Sequence, residues 1–340
     1  MAQASTAAAP PGKEPRAGGG AALSIGLSAV IVAASVQEPR VVTIRLGAAE
    51  GGALEALPSG LLEAEHRTLE IGLRAWVERQ TGQRLGYVEQ LYTFGDRDRG
   101  TGEAALGLPA LVVAYLALVR EARPAGATDA EWHSWYRYFP WEDWRRGKPV
   151  LLAALAAGLQ RWAAGAAAAE MRRLREERIG LAFGLSGVAW NEELVLERYE
   201  LLYEAGLVAE AARDLVRSGG GIHEIGAGAP MALDHRRILA TAIGRLRGKI
   251  KYRPVVFELM PPSFTLLQLQ RTVESLAGIR LHKQNFRRLV EQQGLVEETG
   301  EISAATGGRP ARLVRFRREV LLERPAPGLR LRTGRRAAAG

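Results

Sequence analysis

Residues 264–297 have the sequence FTLLQLQRTVESLAGIRLHKQNFRRLVEQQGLVE, in which helix-forming runs are separated by a glycine. Thr265 is a suitable N-cap for a first helix, and Gly278 marks the turn that ends it. A second helix follows over about 282–292, and two strand-like segments around a glycine-rich loop continue to residue 317. Helix, turn, helix and hairpin in this order predict a winged helix-turn-helix.

The second of these helices has a polar face that suits the DNA major groove. Phe286, Leu289 and Val290 share one side and are expected to be buried, which leaves charged and amide side chains on the other. Arg and Lys match guanine acceptors, and Asn and Gln match adenine. The hairpin adds arginines beside a tip that can approach a phosphate backbone. The predicted DNA-binding residues are Lys283, Gln284, Asn285, Arg287, Arg288, Arg309, Arg312 and Arg315.

The charge distribution favours the same interpretation. The 340 residues carry a net charge of +9, and residues 235–318 alone hold 17 Lys+Arg against 6 Asp+Glu. Such a basic segment indicates a polyanionic partner, either double-stranded DNA or an anionic membrane. An arginine-rich surface that only solvates helix faces, or a winged helix used for protein contact, is the alternative.

Composition also limits the chemistry of the chain. There is no cysteine, which excludes disulfides, thiolate zinc sites and cysteine nucleophiles. The five histidines are scattered and none has His-Glu-x-x-His spacing, so no metal site is expected.

The N-terminal part alternates strands with a helix. Strands are predicted near 24–35, 41–46, 86–94 and 111–119, with a helix from about 67 to 80 that Gly82 stops. This order predicts an α/β or α+β domain.

No charged residue occurs between Arg16 and Glu38, so a signal peptide or membrane anchor has to be weighed. The apolar core over 23–36 is shorter than the roughly 20 residues needed to span a bilayer. We therefore predict a buried strand, a cytoplasmic protein that does not enter the membrane, and a disordered tail over 1–22.

A tryptophan-rich segment over 131–149 holds four of the seven tryptophans. Its aromatic rings can fill a core or stack on an adenine. Two alanine-rich helices are expected near 149–178 and 191–217, followed by a glycine-rich break. The predicted organisation is a tail over 1–22, an effector-binding domain over 23–228 with the tryptophan-rich and helical insertion, a winged helix domain over 229–325 and a basic tail over 326–340.

The helix over 67–80 and the residues before it resemble the Nudix box, Gly-x5-Glu-x7-Arg-Glu-U-x-Glu-Glu-x-Gly with U apolar. Gly60, Arg74, Trp76 and Glu78 fit the pattern. The other three glutamate positions hold His66, Ala75 and Arg79, and the closing glycine comes one residue late. In Nudix hydrolases these glutamates bind divalent cations. Because one of the four remains, we predict no catalytic residue and no metal, although Glu63, Glu65 and Glu70 are possible substitutes.

The resemblance extends beyond the box, over roughly residues 23–330. Several segments are similar to the Nudix-related transcriptional regulators, namely 87–96, 115–119, 234–239, 245–252, 264–270, 283–288 and 308–311. Within that group, segments 139–145 and 190–194 resemble the longer alphaproteobacterial branch that represses NAD biosynthesis genes (NadQ-like).

This resemblance implies an α+β fold, in which a Nudix-like α/β/α sandwich domain precedes the winged helix-turn-helix. It also implies a cytoplasmic homodimeric repressor that binds a palindromic operator and senses a nucleotide, either ADP-ribose, ATP or NAD, without requiring a cofactor. The predicted ligand-binding residues are Arg74, Glu78, Arg79, Tyr92, Arg97 and Arg99. The rival hypotheses are an active Nudix-type diphosphatase with a nucleic-acid-binding appendage, and a ligand-binding protein whose basic domain contacts another protein.

Overall fold

The computed structural model describes seven stretches of the chain: 24–46, 54–95, 111–120, 130–217, 227–303, 310–323 and 328–329. The predicted tail over 1–22 and the side chains of Arg97, Arg99 and Arg309 lie outside the described residues.

One mixed sheet organises the N-terminal domain. Its strands in chain order are β1 (Ile25–Ala34), β2 (Pro39–Leu46), β3 (Leu54–Ala56), β4 (Ser59–Leu61), β5 (Tyr87–Phe94), β6 (Leu111–Leu118) and β7 (Glu131–Ser134). The strand order is β3-β2-β1-β6-β5, with β4 paired to β1 and β7 paired to β2. Strands β1 and β6 are parallel, whereas the other pairs are antiparallel.

Helices cover both faces of this sheet. Helix α1 (Leu69–Thr81) packs Leu73 and Val77 onto one face, and Gly82 ends it in the left-handed conformation. Helix α6 (His235–Tyr252) packs against the opposite face, although it lies in the range predicted for the winged helix domain. The α+β class and the layered sandwich predicted from the sequence are confirmed. The domain boundary at residue 228 stays a prediction.

The insertion forms four helices rather than two. They are α2 (Leu151–Ala164), α3 (Ala169–Phe183), α4 (Val195–Glu204) and α5 (Ala209–Arg217). The first predicted helix is interrupted at Gly165 and the second at Gly206. The φ of Gly206 is 71°, in the left-handed region that favours glycine. In the tryptophan-rich segment before them, Trp135 and Trp141 are fully buried, so these two rings fill the core.

The C-terminal unit has the predicted order of elements. Helix α7 (Leu266–Ala277) begins with a capping box between Thr265 and Gln268, and helix α8 (Lys283–Gln293) follows the turn at Gly278. Strands β8 (Val296–Ser303) and β9 (Ala311–Phe316) form the hairpin, and a short helix, α9 (Val320–Glu323), ends the described unit. In the part of the chain that the structure describes, no helix is both long and apolar enough to cross a bilayer.

Candidate nucleic-acid interface and effector site

Helix α8 places its polar side chains in solvent, as the sequence predicts. Phe286 and Val290 are buried and Leu289 is half-buried. The outward set is exposed, and within the described chain none of its side chains has a hydrogen bond or an ion pair: Lys283, Gln284, Asn285, Arg287 and Arg288. An unpaired polar helix face of this kind is available to DNA bases and phosphates.

Unlike the polar side chains of α8, the two described arginines of the hairpin form ion pairs. Arg312 contacts Glu298 at 2.8 Å, and Arg315 contacts Glu297 at 2.6 Å. All four side chains are exposed, and a hydrogen bond to Glu298 raises the pKa of the Arg312 guanidinium. The wing therefore neutralises its own positive charge with an acidic strand.

Glu297 and Glu298 are functional candidates that the sequence reasoning missed. A signal was present, because β8 is acidic and β9 is basic, and antiparallel strands place opposite charges side by side. The observed register pairs Glu297 directly with Arg315.

The tryptophan-rich segment holds the turn between α7 and α8. The Trp144 amide donates to the Gly278 carbonyl at 2.7 Å, and the Tyr136 hydroxyl donates to the Ser275 carbonyl at 2.7 Å. Gly278 has a φ of 72°, and a Cβ there would lie 2.3 Å from the Glu142 carbonyl oxygen. This close approach requires glycine at the turn.

A buried charge cluster lies behind this turn. The Glu142 carboxylate contacts Arg198 at 2.6 Å and Arg247 at 2.6 Å, and all three side chains have 0% exposure. Arg247 also donates to the Leu276 carbonyl at the end of α7, at 2.9 Å. Burial raises the pKa of Glu142, but the two guanidinium groups outweigh it and hold this pKa below its ordinary value. The Glu142 carboxylate thus joins the tryptophan-rich segment to α4 and α6, and Arg247 extends the cluster to α7.

A third buried guanidinium, that of Arg236, anchors the start of α6. Arg236 contacts Glu210 at 3.0 Å and donates to the carbonyls of Tyr138 and Ala227. Its guanidinium also lies 5.4 Å from the ring centres of Phe139 and Trp141, within cation–π range. The aromatic rings of the insertion therefore serve packing around a buried charge.

The Nudix-box helix α1 is fastened through Trp76. The indole Nε1 donates to the Leu61 carbonyl at 2.8 Å, and the Arg79 guanidinium stacks 4.2 Å from its ring centre. A Cβ on Gly60 would lie 2.1 Å from the ring, so the indole rests directly on that glycine. The motif positions Gly60 and Trp76 thus have a structural role in this chain.

The predicted ligand-binding residues on α1 already have partners. Arg74 bonds Glu70 at 2.8 Å and the carbonyls of Leu85 and Gly86. Glu78 pairs with Arg84 at 3.1 Å, and Arg79 lies 3.4 Å from Glu63. These three share one helix, but a ligand phosphate would have to compete with the present contacts.

Tyr92 lies on the other face of the sheet. It pairs with Ala114 and contacts the ring of Phe94, and both neighbours belong to the core on the α6 side. With 64% exposure it is free to stack on a ligand, but the structure does not bring it together with Arg74, Glu78 and Arg79. The predicted ligand set is therefore divided between two faces.

His66 stands at the first glutamate position of the box. Its Nδ1 accepts from the Glu63 amide at 3.2 Å, and its side chain is buried against α1. Among the described residues, no three His, Asp or Glu side chains are grouped closely enough to hold a metal ion.

Comparison with known proteins finds a match over α7, α8 and the hairpin. The family model of the NrtR DNA-binding winged helix domain matches residues 256–316. Residues 256–316 are therefore similar to NrtR-type winged helix domains. The match covers α7, α8 and the wing, and it begins just after α6 ends. The predicted resemblance to the Nudix-related transcriptional regulators is thereby confirmed. The assignment to the longer alphaproteobacterial branch stays a prediction.

Two similar proteins indicate how far the likeness extends along the chain. The ADPR responsive transcriptional repressor NtrR of Acinetobacter baylyi is 44% identical over 86 residues, which cover 25% of this chain and 34% of that protein. The match therefore spans about a third of the curated relative. The crystal structure of Shewanella oneidensis NrtR complexed with a 27mer DNA superposes with a TM-score of 0.52 at 20% identity, covering 87% of this chain and 94% of that one. This second likeness shows a shared fold.

Replacing Gly60 by alanine is expected to lower the free energy of unfolding by about 1–3 kcal/mol, because the added methyl group overlaps the Trp76 ring. Urea unfolding followed by tryptophan fluorescence measures the change. Gly86→Ala is the matched control, since a Cβ there meets nothing within 4 Å. Equal midpoints for the two variants would show that the indole does not rest on Gly60 in solution.

Proposed function

We propose that the chain is a cytoplasmic transcriptional repressor, controlled by a nucleotide, that binds DNA through α8. The observation that carries this proposal is the exposed, unpaired face of Lys283, Gln284, Asn285, Arg287 and Arg288 on the second helix of the matched winged helix domain. Helices that present such side chains from this fold enter the major groove. We further propose a homodimer on a palindromic operator of NAD biosynthesis genes, since two-fold symmetry of a protein matches that of its site.

The proposed effector is a nucleotide, with ADP-ribose placed before ATP and NAD because the matched relative is ADPR responsive. Its proposed binding residues are Arg74, Glu78 and Arg79 on α1, together with Arg97 and Arg99. Tyr92, on the opposite face of the sheet, would join them only in a different arrangement of β5. Binding without hydrolysis is supported by His66, Ala75 and Arg79 at three glutamate positions of the box, since these side chains supply no carboxylate to a divalent cation. Effector binding would shift the population between conformers that match or mismatch two operator half-sites.

The proposal is tested by fluorescence anisotropy of the full chain with labelled duplexes from its own promoter and from NAD biosynthesis promoters. Each titration is repeated with ADP-ribose, NAD and ATP, and a shuffled duplex of equal length is the control. We expect sequence-specific binding that one nucleotide changes. Equal affinity for the promoter and the shuffled duplex would overturn the repressor, and product from ADP-ribose with Mg²⁺ above a metal-free blank would favour the diphosphatase.

The double variant E297Q/E298Q is expected to bind the operator about 2–5-fold more tightly at low salt. The substitution releases Arg312 and Arg315 from surface ion pairs worth about 0.2–1 kcal/mol each, and it removes two negative charges from the wing. E170Q/E176Q is the matched control, because both glutamates are exposed and paired with arginines on α3. Unchanged affinity in the wing variant would mean that the wing stays away from DNA.

A further inference from the structure

Residues 143–148 of the insertion lie directly against the turn that precedes α8. The Trp144 amide donates to the Gly278 carbonyl at 2.7 Å, and the Arg280 Nε donates to the Arg145 carbonyl at 3.2 Å. Arg280 is three residues from Lys283, where α8 begins. The insertion therefore reaches the turn that leads into the helix that carries the proposed base contacts.

Most of the charges at this junction already have partners. The Arg145 guanidinium contacts Asp143 at 2.8 Å and lies over the Tyr136 ring. Arg280 contacts the buried Glu274 at 2.8 Å. These ion pairs fix the local backbone and leave little charge to attract a ligand.

Arg146 and Lys148 differ from their neighbours. Both side chains are exposed, and neither has a hydrogen bond or an ion pair with any described residue. They flank Gly147, whose φ of 106° turns the chain so that residues 145–148 make a short exposed bend. The result is two exposed cations next to the segment that contacts the turn before α8.

Phosphates are the groups that such cations meet when a recognition helix is in the groove. In helix-turn-helix proteins the N-terminal part of the second helix contacts bases, while the elements before it cross the sugar-phosphate backbone. Extended Lys and Arg side chains are long enough to bind the phosphates that border the groove. Arg146 directly follows Arg145, whose carbonyl accepts from Arg280, and Lys283 is three residues beyond Arg280, so we expect one duplex to reach both.

We propose that Arg146 and Lys148 bind DNA phosphates beside the groove that α8 occupies. The effector domain then supplies part of the DNA interface itself, in addition to the winged helix. This inference rests on the proposed function, because it requires α8 to enter DNA. It gives the insertion a direct role, since a nucleotide-dependent movement of that domain would displace two phosphate contacts together with the turn before α8.

The test is the full-chain variant R146A/K148A, titrated with the operator and the shuffled duplex at several salt concentrations. The slope of log K against log salt is negative, and each lost phosphate contact makes it shallower by about 0.9. We therefore expect its magnitude to decrease by about 2, with roughly 10-fold weaker binding at 0.1 M salt. The loss should be similar for both duplexes, because phosphate contacts carry no sequence information.

R67A/R161A is the matched control, since both arginines are exposed, lack an ion pair among the described residues and give the same change in charge. A slope for R146A/K148A equal to that of this control would overturn the inference. Photo-crosslinking from a benzoylphenylalanine at position 146, compared with position 161, gives a second readout, and operator crosslinks at 146 are expected. Failure of the wild-type chain to prefer its operator would instead overturn the proposed function.

Discussion

Replacing Glu142 by alanine is expected to lower the free energy of unfolding by about 3–5 kcal/mol. The substitution leaves the guanidinium groups of Arg198 and Arg247 buried, at 0% exposure, without the carboxylate that both contact at 2.6 Å. Removing one partner of a buried ion pair is costly because the remaining charge has lost its solvent and its counter-charge together. Two charges depend on this one carboxylate, so the effect should be at the upper end of that range.

Urea unfolding of the full chain at neutral pH measures the loss. Glu170→Ala is the control, because Glu170 forms an exposed ion pair with Arg173 and should change stability by less than about 1 kcal/mol. Similar unfolding midpoints for Glu142→Ala and Glu170→Ala would show that water reaches Arg198 and Arg247 in solution.

The pH dependence of unfolding distinguishes a lost charge from a lost shape. Burial opposes ionisation of Glu142, but Arg198 and Arg247 lower its pKa in the folded chain below that of the unfolded chain. Its stabilisation is therefore present above the unfolded value of about 4.3 and disappears as the pH falls through the lower, folded value. Glu142→Gln keeps the shape but cannot titrate, so its stability should decrease less steeply below about pH 4 than that of the wild type. Parallel curves of stability against pH for Glu142→Gln and the wild type would contradict a lowered pKa of Glu142 in the folded chain.

The elements of the winged helix could be predicted from the sequence because their signals are local. Thr265 caps α7, Gly278 ends it, and both positions are read from neighbours within four residues. The outward face of α8 follows from helical periodicity alone, because Phe286 and Val290 fix which side is buried.

Tyr92 shows where periodicity stops being sufficient. Strict alternation along β5 would place Gln90 and Tyr92 on one face of the sheet. A bulge between them shifts the register, so Gln90 pairs with Tyr115 while Tyr92 pairs with Ala114 on the opposite face. An inserted residue of this kind depends on tertiary packing, and the sequence pattern did not predict it.

The buried cluster could not be predicted for a different reason. Glu142 is 56 residues from Arg198 and 105 residues from Arg247 in the chain, and no spacing rule connects them. The same is true of the contact between Trp144 and Gly278, which joins the insertion to the DNA-binding unit. Long-range pairs of this kind depend on the topology of the fold, whereas caps and turns depend on adjacent residues.

The double variant R287A/R288A is expected to weaken operator binding by about 100-fold or more. Each arginine that contacts bases or phosphates contributes about 1–3 kcal/mol, and these two are exposed with no ion pair inside the described chain to restrain them. Nucleotide affinity, measured by calorimetry, should stay at the wild-type value, because the substitution removes no described hydrogen bond or ion pair.

Comparing the operator with the shuffled duplex shows what the two α8 arginines do. Loss of a base contact lowers the ratio of specific to non-specific affinity. Loss of a phosphate contact weakens binding to both duplexes and makes the dependence of affinity on salt less steep. We expect R287A/R288A to lower the ratio, in contrast to R146A/K148A, which should leave it nearly unchanged. The exposed control R67A/R161A should change the affinity ratio and the salt slope less than either of these variants does. An unaltered ratio and affinity in R287A/R288A would mean that α8 is not the recognition helix, because this variant removes two of the three cations from its exposed polar face.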